Sequence, residues 1–180
     1  MSLVYVFLAD GFEEVEGLTA VDLLRRAECQ AIMVSITGSR TITGSHGIRV
    51  EADMLFDEVD QEAEMLVLPG GMPGTLHLKE HEGLAALLRS QYDHKGWIAA
   101  ICAAPSVLEG LGFLKDRQAT SYPGSIGEAT GTYMEQPVVV DEHVITSRGV
   151  GTAIPFALKL IELLKGGEMS DKIASSIIFR

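Results

Sequence analysis

The sequence predicts an α/β fold in which a mostly parallel sheet is covered by helices on both faces. Short β-branched apolar runs alternate along the chain with longer segments of helical periodicity. The runs are almost continuously apolar, as in strands that are buried on both faces. Three of them end in loops with glycines, acidic residues or a cysteine, and sites in such folds lie beyond the carboxyl ends of the strands.

The first half of the chain supplies two strands, a helix and a hairpin. The run LVYVFLA predicts the first strand, and QAIMVSI predicts the second. Between them, EEVEGLTAVDLLRRA predicts a helix whose apolar stripe contains Val15, Leu18, Val21 and Leu24. The segment RTITGSHGIRVEAD has β-branched residues on both sides of its glycines, which predicts a hairpin that extends an edge of the sheet.

The second half continues the alternation. AEMLVLPGG predicts a strand that ends in a glycine turn, and HEGLAALLRSQY predicts a helix. GWIAAICAAPSVLEG predicts a strand followed by a helix, with Cys102 where they join. PVVVDEHVITS predicts two short strands around an Asp-Glu turn. TAIPFALKLIELLKGG predicts a helix ended by paired glycines, and SDKIASSIIF predicts a C-terminal helix capped by Ser170.

Composition restricts the class of protein. The 180 residues fit a single domain, 1–180, and 47% hydrophobic with 22% charged residues are typical of a globular protein. The net charge of -11, with no basic run longer than a pair such as Arg25–Arg26, argues against nucleic acid as a partner. Two cysteines and five scattered histidines predict neither a disulfide framework nor a metal site. With no basic leader and no long apolar run, we expect a cytoplasmic protein that does not bind membranes.

Cys102 is the first candidate functional residue. Free cysteine is commonly an inert, buried residue, so packing alone would account for it. A side chain at a sharp strand-to-helix turn, however, projects beyond the sheet, and the N–H groups of the helix favour a thiolate. Ala103 and Ala104 permit a tight turn, and Pro105 suits a helix start. We interpret Cys102 as reactive and Cys29, which lacks these features, as structural.

Two further loops are expected at the same end of the sheet. In LPGGMPG, Gly70 and Gly71 let backbone N–H groups approach a ligand oxygen, although turn formation would also explain the motif. In DGFEEVEG, Glu13 and Glu14 are interpreted as a solvated first helical turn. Glu16 is expected to turn toward the end of the sheet, where burial and a thiolate would keep it neutral. A neutral carboxyl donates a hydrogen bond to sulfur and acts as a general acid/base.

Five motifs together resemble the ThiJ/PfpI superfamily: ADGFEEVE, VDLLRRA, LVLPGG, AAICAAP and TSRGVGTA. The resemblance runs from Leu3 to about Leu164, and the nearer branch is that of the parkinsonism-associated protein deglycase and its bacterial relatives. It implies a flavodoxin-like three-layer sandwich, a nucleophile-elbow cysteine and a homodimer. By this resemblance Cys102 matches the family nucleophile and Glu16 its partner carboxyl. Gly71 and the backbone of Ala103 match donors of an oxyanion hole.

Two departures from the family pattern matter. Ala103 stands where protease-like members have a histidine, so a Cys-His protease is not supported. Tyr122 stands where the deglycase branch often has a histidine; it is a possible substrate contact, as is Gly70, but a poor base at neutral pH. A family arginine near the hairpin is replaced by His46, and Arg148 is interpreted as a structural or interface charge.

The resemblance implies a cofactor-independent glyoxalase that acts on small dicarbonyls such as methylglyoxal. The thiolate of Cys102 would form a hemithioacetal, Glu16 would move protons between the two carbons, and water would release lactate. The same chemistry on glycated cysteine, lysine or arginine would be protein deglycase activity. The alternative is a non-enzymatic oxidative-stress sensor or redox chaperone that uses the same cysteine in its sulfinic form. Neither function requires a metal or an organic cofactor.

Overall fold

The computed structural model describes residues 1–179, and within them a seven-stranded sheet runs in the order β10-β11-β7-β6-β1-β2-β5. Every neighbouring pair is parallel except β10–β11 at one edge, so the predicted mostly parallel sheet is confirmed. Two small two-stranded sheets, β3–β4 and β8–β9, complete the strands of the described part. The strands are β1 (Leu3–Leu8), β2 (Gln30–Ser35), β3 (Thr41–Thr43), β4 (Arg49–Glu51), β5 (Met54–Leu55), β6 (Met65–Leu68), β7 (Trp97–Ile101), β8 (Gln118–Ala119), β9 (Thr132–Tyr133), β10 (Val138–Asp141) and β11 (Val144–Ser147).

Helices cover both faces of the sheet. They are α1 (Glu14–Arg26), α2 (Gly74–Glu80), α3 (Glu82–Asp93), α4 (Pro105–Gly110), α5 (Ala153–Lys165) and α6 (Gly167–Ser176). Successive side chains of a strand point to opposite faces, and β1 divides its side chains accordingly. Val4, Val6 and Leu8 pack with α1, α5 and α6, whereas Tyr5 and Phe7 belong to the core that contains α3 and α4. The three-layer arrangement is therefore confirmed, with an apolar core on each side of β1.

The hairpin of β3 and β4 does not extend the sheet, and that part of the prediction was wrong. The strand beside β2 is β5, and β3 pairs with β4 alone. The backbone of the hairpin instead bonds to the loop before α1: Gly11 N donates to Thr43 O at 2.8 Å, and Ser45 N donates to Phe12 O at 2.8 Å. These bonds hold the hairpin over the start of α1, at the carboxyl end of β1.

The apolar stripe of α1 was predicted correctly only in part. Val21 and Leu24 are buried and Leu18 packs against the same core, but Val15 is 46% exposed. In the first turn it is Glu14 and Glu16 that are buried instead. Hydrogen bonds compensate the burial of Glu14, and a raised pKa favours the neutral form of Glu16, so a count of apolar residues misidentifies the inward face of this turn.

Ser170 does not cap the last helix. α6 begins at Gly167 after Gly166, and Ser170 lies within it. Its hydroxyl is buried and donates to the carbonyl of Leu158 in α5 at 2.9 Å. Ser170 therefore ties α6 to α5, which corrects the predicted capping role. Among residues 1–179, no helical segment combines the length and apolar character that a membrane crossing requires.

Candidate active site

Cys102 occupies a strained turn between a strand and a helix. β7 ends at Ile101 and α4 begins at Pro105, and Cys102 has φ = 65°, a conformation that non-glycine residues rarely adopt. Its N–H donates to Ser147 O at 3.0 Å, and its carbonyl accepts from Tyr122 N at 2.8 Å. Such strain persists only where the surroundings enforce it, and it is concentrated at functional sites. The two hydrogen bonds fix where the thiol points.

Glu16 comes to the thiol from the first turn of α1. It is 1% exposed, its Oε2 accepts from Gly70 N at 2.8 Å, and its carboxyl interacts with the thiol of Cys102. Within residues 1–179, no N–H or O–H group donates to the buried Oε1. A buried carboxylate oxygen without a donor is costly, which favours the protonated form of Glu16. The structure thus brings the predicted carboxyl and cysteine together.

The titrations of Glu16 and Cys102 are coupled, because each group changes the pKa of the other. Burial raises the pKa of Glu16 to about 7, although hydrogen bonds from Cys102 and Gly70 act in the opposite direction. Burial, and then the charge of Glu16, raise the pKa of the Cys102 thiol to about 12. The start of α4 by itself would favour a thiolate at Cys102, but the negative charge of ionised Glu16 opposes it. When the proton moves to Glu16 that opposing charge disappears, so a thiolate is less unfavourable beside a neutral Glu16 than beside an ionised one.

Backbone N–H groups of Gly71 and Ala103 approach the sulfur and lower the pKa of Cys102. Gly71 has φ = 90°, and a Cβ there would lie 2.3 Å from Glu13 N, so only glycine fits. The structure places Gly70 differently from Gly71. Its N–H is bonded to Glu16, so Gly70 positions the carboxyl and does not offer a donor to a ligand.

A cavity of about 490 Å³ opens above this pair. Glu16, Gly71, Cys102, Tyr122, Arg148 and Gly149 contribute to its walls. Tyr122 is 57% exposed at the rim, where a substrate would meet its ring and hydroxyl. Arg148, interpreted from the sequence as a structural or interface charge, also lines the cavity; its place in the wall follows from β11 ending beside β7.

Glu13 and Glu14 are not a solvated turn, which corrects the sequence interpretation. Burial alone would raise the pKa of Glu14, but hydrogen bonds from its own backbone N–H, from the side chain and backbone of His46 and from Ile48 N lower it to about 2. Glu13 accepts from Val15 N at 3.3 Å and caps α1.

The ligand atoms of Glu13, Glu14 and His46 lie within 4.8 Å of one another, as a metal site would need. His46 Nδ1 already bonds to Glu14 Oε2 at 3.0 Å, so the cluster fastens the hairpin to α1.

Replacing Gly70 with alanine is expected to distort the pair and to destabilise the protein. The new Cβ would lie 2.6 Å from Cys102 Cβ and 2.7 Å from Glu16 Oε2. Overpacking of this kind costs about 1–3 kcal/mol, which for a chain of this size lowers Tm by roughly 2–12 °C. Calorimetry measures this loss. Gly127→Ala, where nothing lies within 4 Å of the added Cβ, is the matched control, and equal Tm values for the two variants would contradict the packing argument.

Comparison with known proteins identifies relatives across the chain. Residues 2–163 match the DJ-1/PfpI family. Protein dj-1beta of Drosophila melanogaster is 37% identical over 177 residues, which cover 96% of this chain and 95% of the fly protein. A Caenorhabditis elegans protein named glutathione-independent glyoxalase DJR-1.2 is 32% identical over 164 residues, covering 89% of this chain and 87% of the nematode protein.

The fold agrees with these sequence matches. The structure of Toxoplasma gondii DJ-1 in oxidised form superposes with a TM-score of 0.94 at 34% identity, covering 99% of this chain and 98% of that one. The chain spans 41% of the length of Protein DJ-1 homolog B of Arabidopsis thaliana, to which it is 33% identical over 178 residues. The motifs, the fold and the full-length relatives agree: the chain belongs to the DJ-1/PfpI family.

Proposed function

We propose that the protein is a cofactor-independent glyoxalase that converts 2-oxoaldehydes such as methylglyoxal into 2-hydroxy acids. The observation that carries the proposal is the contact between a buried carboxyl, Glu16, and the thiol of Cys102 inside an open cavity. The name of the nematode relative, a glutathione-independent glyoxalase, supports the same activity. Cys102 is the nucleophile in this proposal, and Glu16 is the general acid/base.

The first step is addition of the Cys102 thiolate to the aldehyde carbon. A carbon–sulfur bond forms, and the carbonyl π-electrons move to oxygen, which takes up a proton to give a hemithioacetal. The N–H groups of Gly71 and Ala103 approach the sulfur and are positioned to stabilise the negative oxygen as it develops. Neutral Glu16 supplies the proton.

In the second step Glu16 removes the proton from the former aldehyde carbon and returns one to the neighbouring ketone carbon, while the hemithioacetal hydroxyl gives up its proton and the ketone oxygen takes one up. The first carbon is oxidised to a thioester and the second is reduced to an alcohol, so no external oxidant or reductant is needed. Water then attacks the thioester, releases the 2-hydroxy acid and restores Cys102. One water is consumed for each 2-oxoaldehyde, and methylglyoxal yields lactate.

The decisive experiment is to incubate the purified protein with methylglyoxal and to measure lactate. We expect lactate to form in proportion to protein concentration, without glutathione or added metal. If no lactate forms at any of the pH values tested between 6 and 9, the proposal is refuted. The same protein incubated with glycated cysteine, lysine and arginine would show whether it also acts as a protein deglycase, which we propose as an extension of the chemistry.

A redox role is the second candidate function, and the different environments of the two thiols favour it. Cys102 is half-buried and opens to the cavity, whereas Cys29 is buried and packed into the core. Mild peroxide is therefore expected to oxidise Cys102 before Cys29, and to stop at the sulfinic acid because neutral Glu16 donates a hydrogen bond to it. Peptide mapping by mass spectrometry measures the order. Faster oxidation of Cys29, or an unchanged product in Glu16→Ala, would contradict it.

We further propose that the protein is a homodimer. We also propose that it acts in the cytoplasm, where its two free thiols stay reduced. Three exposed apolar side chains, Val15, Ile48 and Val150, lie on segments around the cavity, and a partner would bury them. Light scattering should give about twice the chain mass, and Val15→Asp should lower it. A monomer at all concentrations would exclude the dimer, and fractionation of cells tests the location.

A further inference from the structure

Arg148 stands next to Gly149, where the loop after β11 passes close to Cys102 and Glu16. It follows β11, and its N–H donates to Thr152 Oγ1 at 3.2 Å, which holds the loop in place. A Cβ built on the next residue, Gly149, would lie 3.9 Å from both Cys102 Sγ and Glu16 Oε1. The loop therefore passes close to the thiol, and Arg148 enters the wall of the same cavity.

The guanidinium of Arg148 is only partly used by the protein. Its Nη1 donates to Glu135 Oε1 at 3.4 Å, a long contact to a carboxylate that is 77% exposed. Its Nε is buried, and within residues 1–179 it has no hydrogen-bond partner. A buried donor without an acceptor is destabilising. Because Nε lies below the surface, the terminal Nη1 and Nη2 groups are the donors that a carboxylate can reach, and together they can bind it through two hydrogen bonds.

The charges around the cavity single out Arg148. Of the described residues that line it, Arg148 is the one cation, and Glu13 and Glu16 are the acids. Glu13 accepts from Val15 N at the start of α1 and lies 3.4 Å from His46 Nδ1, which also bonds to Glu14. Glu16 is neutral in the proposed mechanism when Cys102 is a thiolate. An anionic group that enters the cavity therefore meets a single cation among the described lining residues, Arg148, whose own ion pair to Glu135 is long and solvent-exposed.

We propose that Arg148 makes the enzyme selective for 2-oxoaldehydes that carry a carboxylate, which its terminal guanidinium N–H groups bind while Cys102 attacks the aldehyde. This inference rests on the glyoxalase activity proposed above and names its substrate class. The chemistry is unchanged: water adds, the aldehyde carbon becomes a carboxylate and the ketone becomes an alcohol. The product is a 2-hydroxydicarboxylate, and the substrate carboxylate takes no part in bond making.

The test compares two substrates that differ in charge but little in size, 4,5-dioxopentanoate and its methyl ester. The acid should be converted to 2-hydroxyglutarate with a kcat/KM about tenfold or more above that of the ester, as expected for a charge-assisted bidentate contact. Arg148→Met should reduce this acid-to-ester ratio to about one, and Arg148→Lys should leave it between the two. Each ratio is measured within one variant, so a general loss of active protein cancels.

Glu135→Gln separates substrate binding from a structural role. If Arg148 acted only through its ion pair with Glu135, this variant would reproduce Arg148→Met. If Arg148 binds the substrate, the ratio should be kept or increased, because the guanidinium loses a competing carboxylate. Turnover of methylglyoxal with an acid-to-ester ratio near one in the wild type would overturn the inference and leave the glyoxalase activity standing. If the wild type converts neither methylglyoxal nor 4,5-dioxopentanoate nor its methyl ester, both this inference and the proposed glyoxalase activity are overturned.

Discussion

Replacing Cys102 with alanine is expected to abolish lactate formation from methylglyoxal, with a loss of about a thousandfold or more in kcat. The hemithioacetal needs a sulfur at this position, and no second thiol reaches the cavity in the described part of the chain. Cys102→Ser is the companion variant, because it keeps the size of the side chain but provides a much weaker nucleophile. Lactate assays on equal amounts of folded protein give the comparison.

Cys29→Ala is the matched control for this experiment. Cys29 packs in the core beside α1 and β2 and does not line the cavity, so it cannot meet the substrate. Its replacement should cost some stability and leave turnover close to that of the wild type. Equal activity in Cys102→Ala and wild type would remove the nucleophile from the mechanism, and with it the glyoxalase proposal.

Replacing Glu16 with glutamine has the second largest expected effect. The amide oxygen can still accept from Gly70 N–H, so the geometry is kept while proton transfer is lost. General acid/base catalysis is worth about 10²–10⁴-fold, and turnover should fall by that range. Measured kcat for both proteins tests this. A Glu16→Gln enzyme with undiminished kcat would show that another group moves the protons.

The pH dependence of the wild type provides an independent check on Glu16. The active pair holds one proton, and a second proton binds as the pH falls below the Glu16 pKa of about 7. Thus kcat/KM should rise with pH through about 7, and Glu16→Gln should lose that limb. Stability should change with pH in the opposite direction. Because burial raises the pKa of Glu16 in the folded state, the free energy of unfolding should decrease progressively as the pH rises from 4.5 to 7. Glu16→Gln should therefore melt above the wild type at pH 8 but not at pH 4.

The main elements of the fold could be predicted because each strand carries its own pattern. LVYVFL in β1 is buried at every position, as a strand between two helical layers must be. The placement of the hairpin could not be predicted in this way. The carboxylate of Glu14 takes its partners from residues more than thirty positions away, so neither its burial nor the attachment of the hairpin is visible in local periodicity.

The candidate site likewise contains residues that local sequence patterns predict and residues that they do not. Cys102 and Gly71 stand directly after apolar strands, and a parallel sheet brings such positions to one end. Arg148 also follows a strand, but the burial of its Nε depends on how the 148–152 loop folds back through Thr152. The sequence therefore indicates only a structural or interface charge at Arg148. Its position directly after a strand that neighbours the strand of Cys102 is the signal from which its place in the cavity could have been predicted.

The hydrogen bond from Gly70 N–H to Glu16 joins residues 54 positions apart, and Cys102 lies 32 positions beyond Gly70. The three residues lie on segments that are far apart along the chain, so the site forms only when β1, β6 and β7 are aligned side by side. Pairing of strands so distant in sequence is a slow event in folding. During refolding from denaturant, the return of turnover would therefore mark the completion of the sheet centre and would lag behind the return of helical circular dichroism.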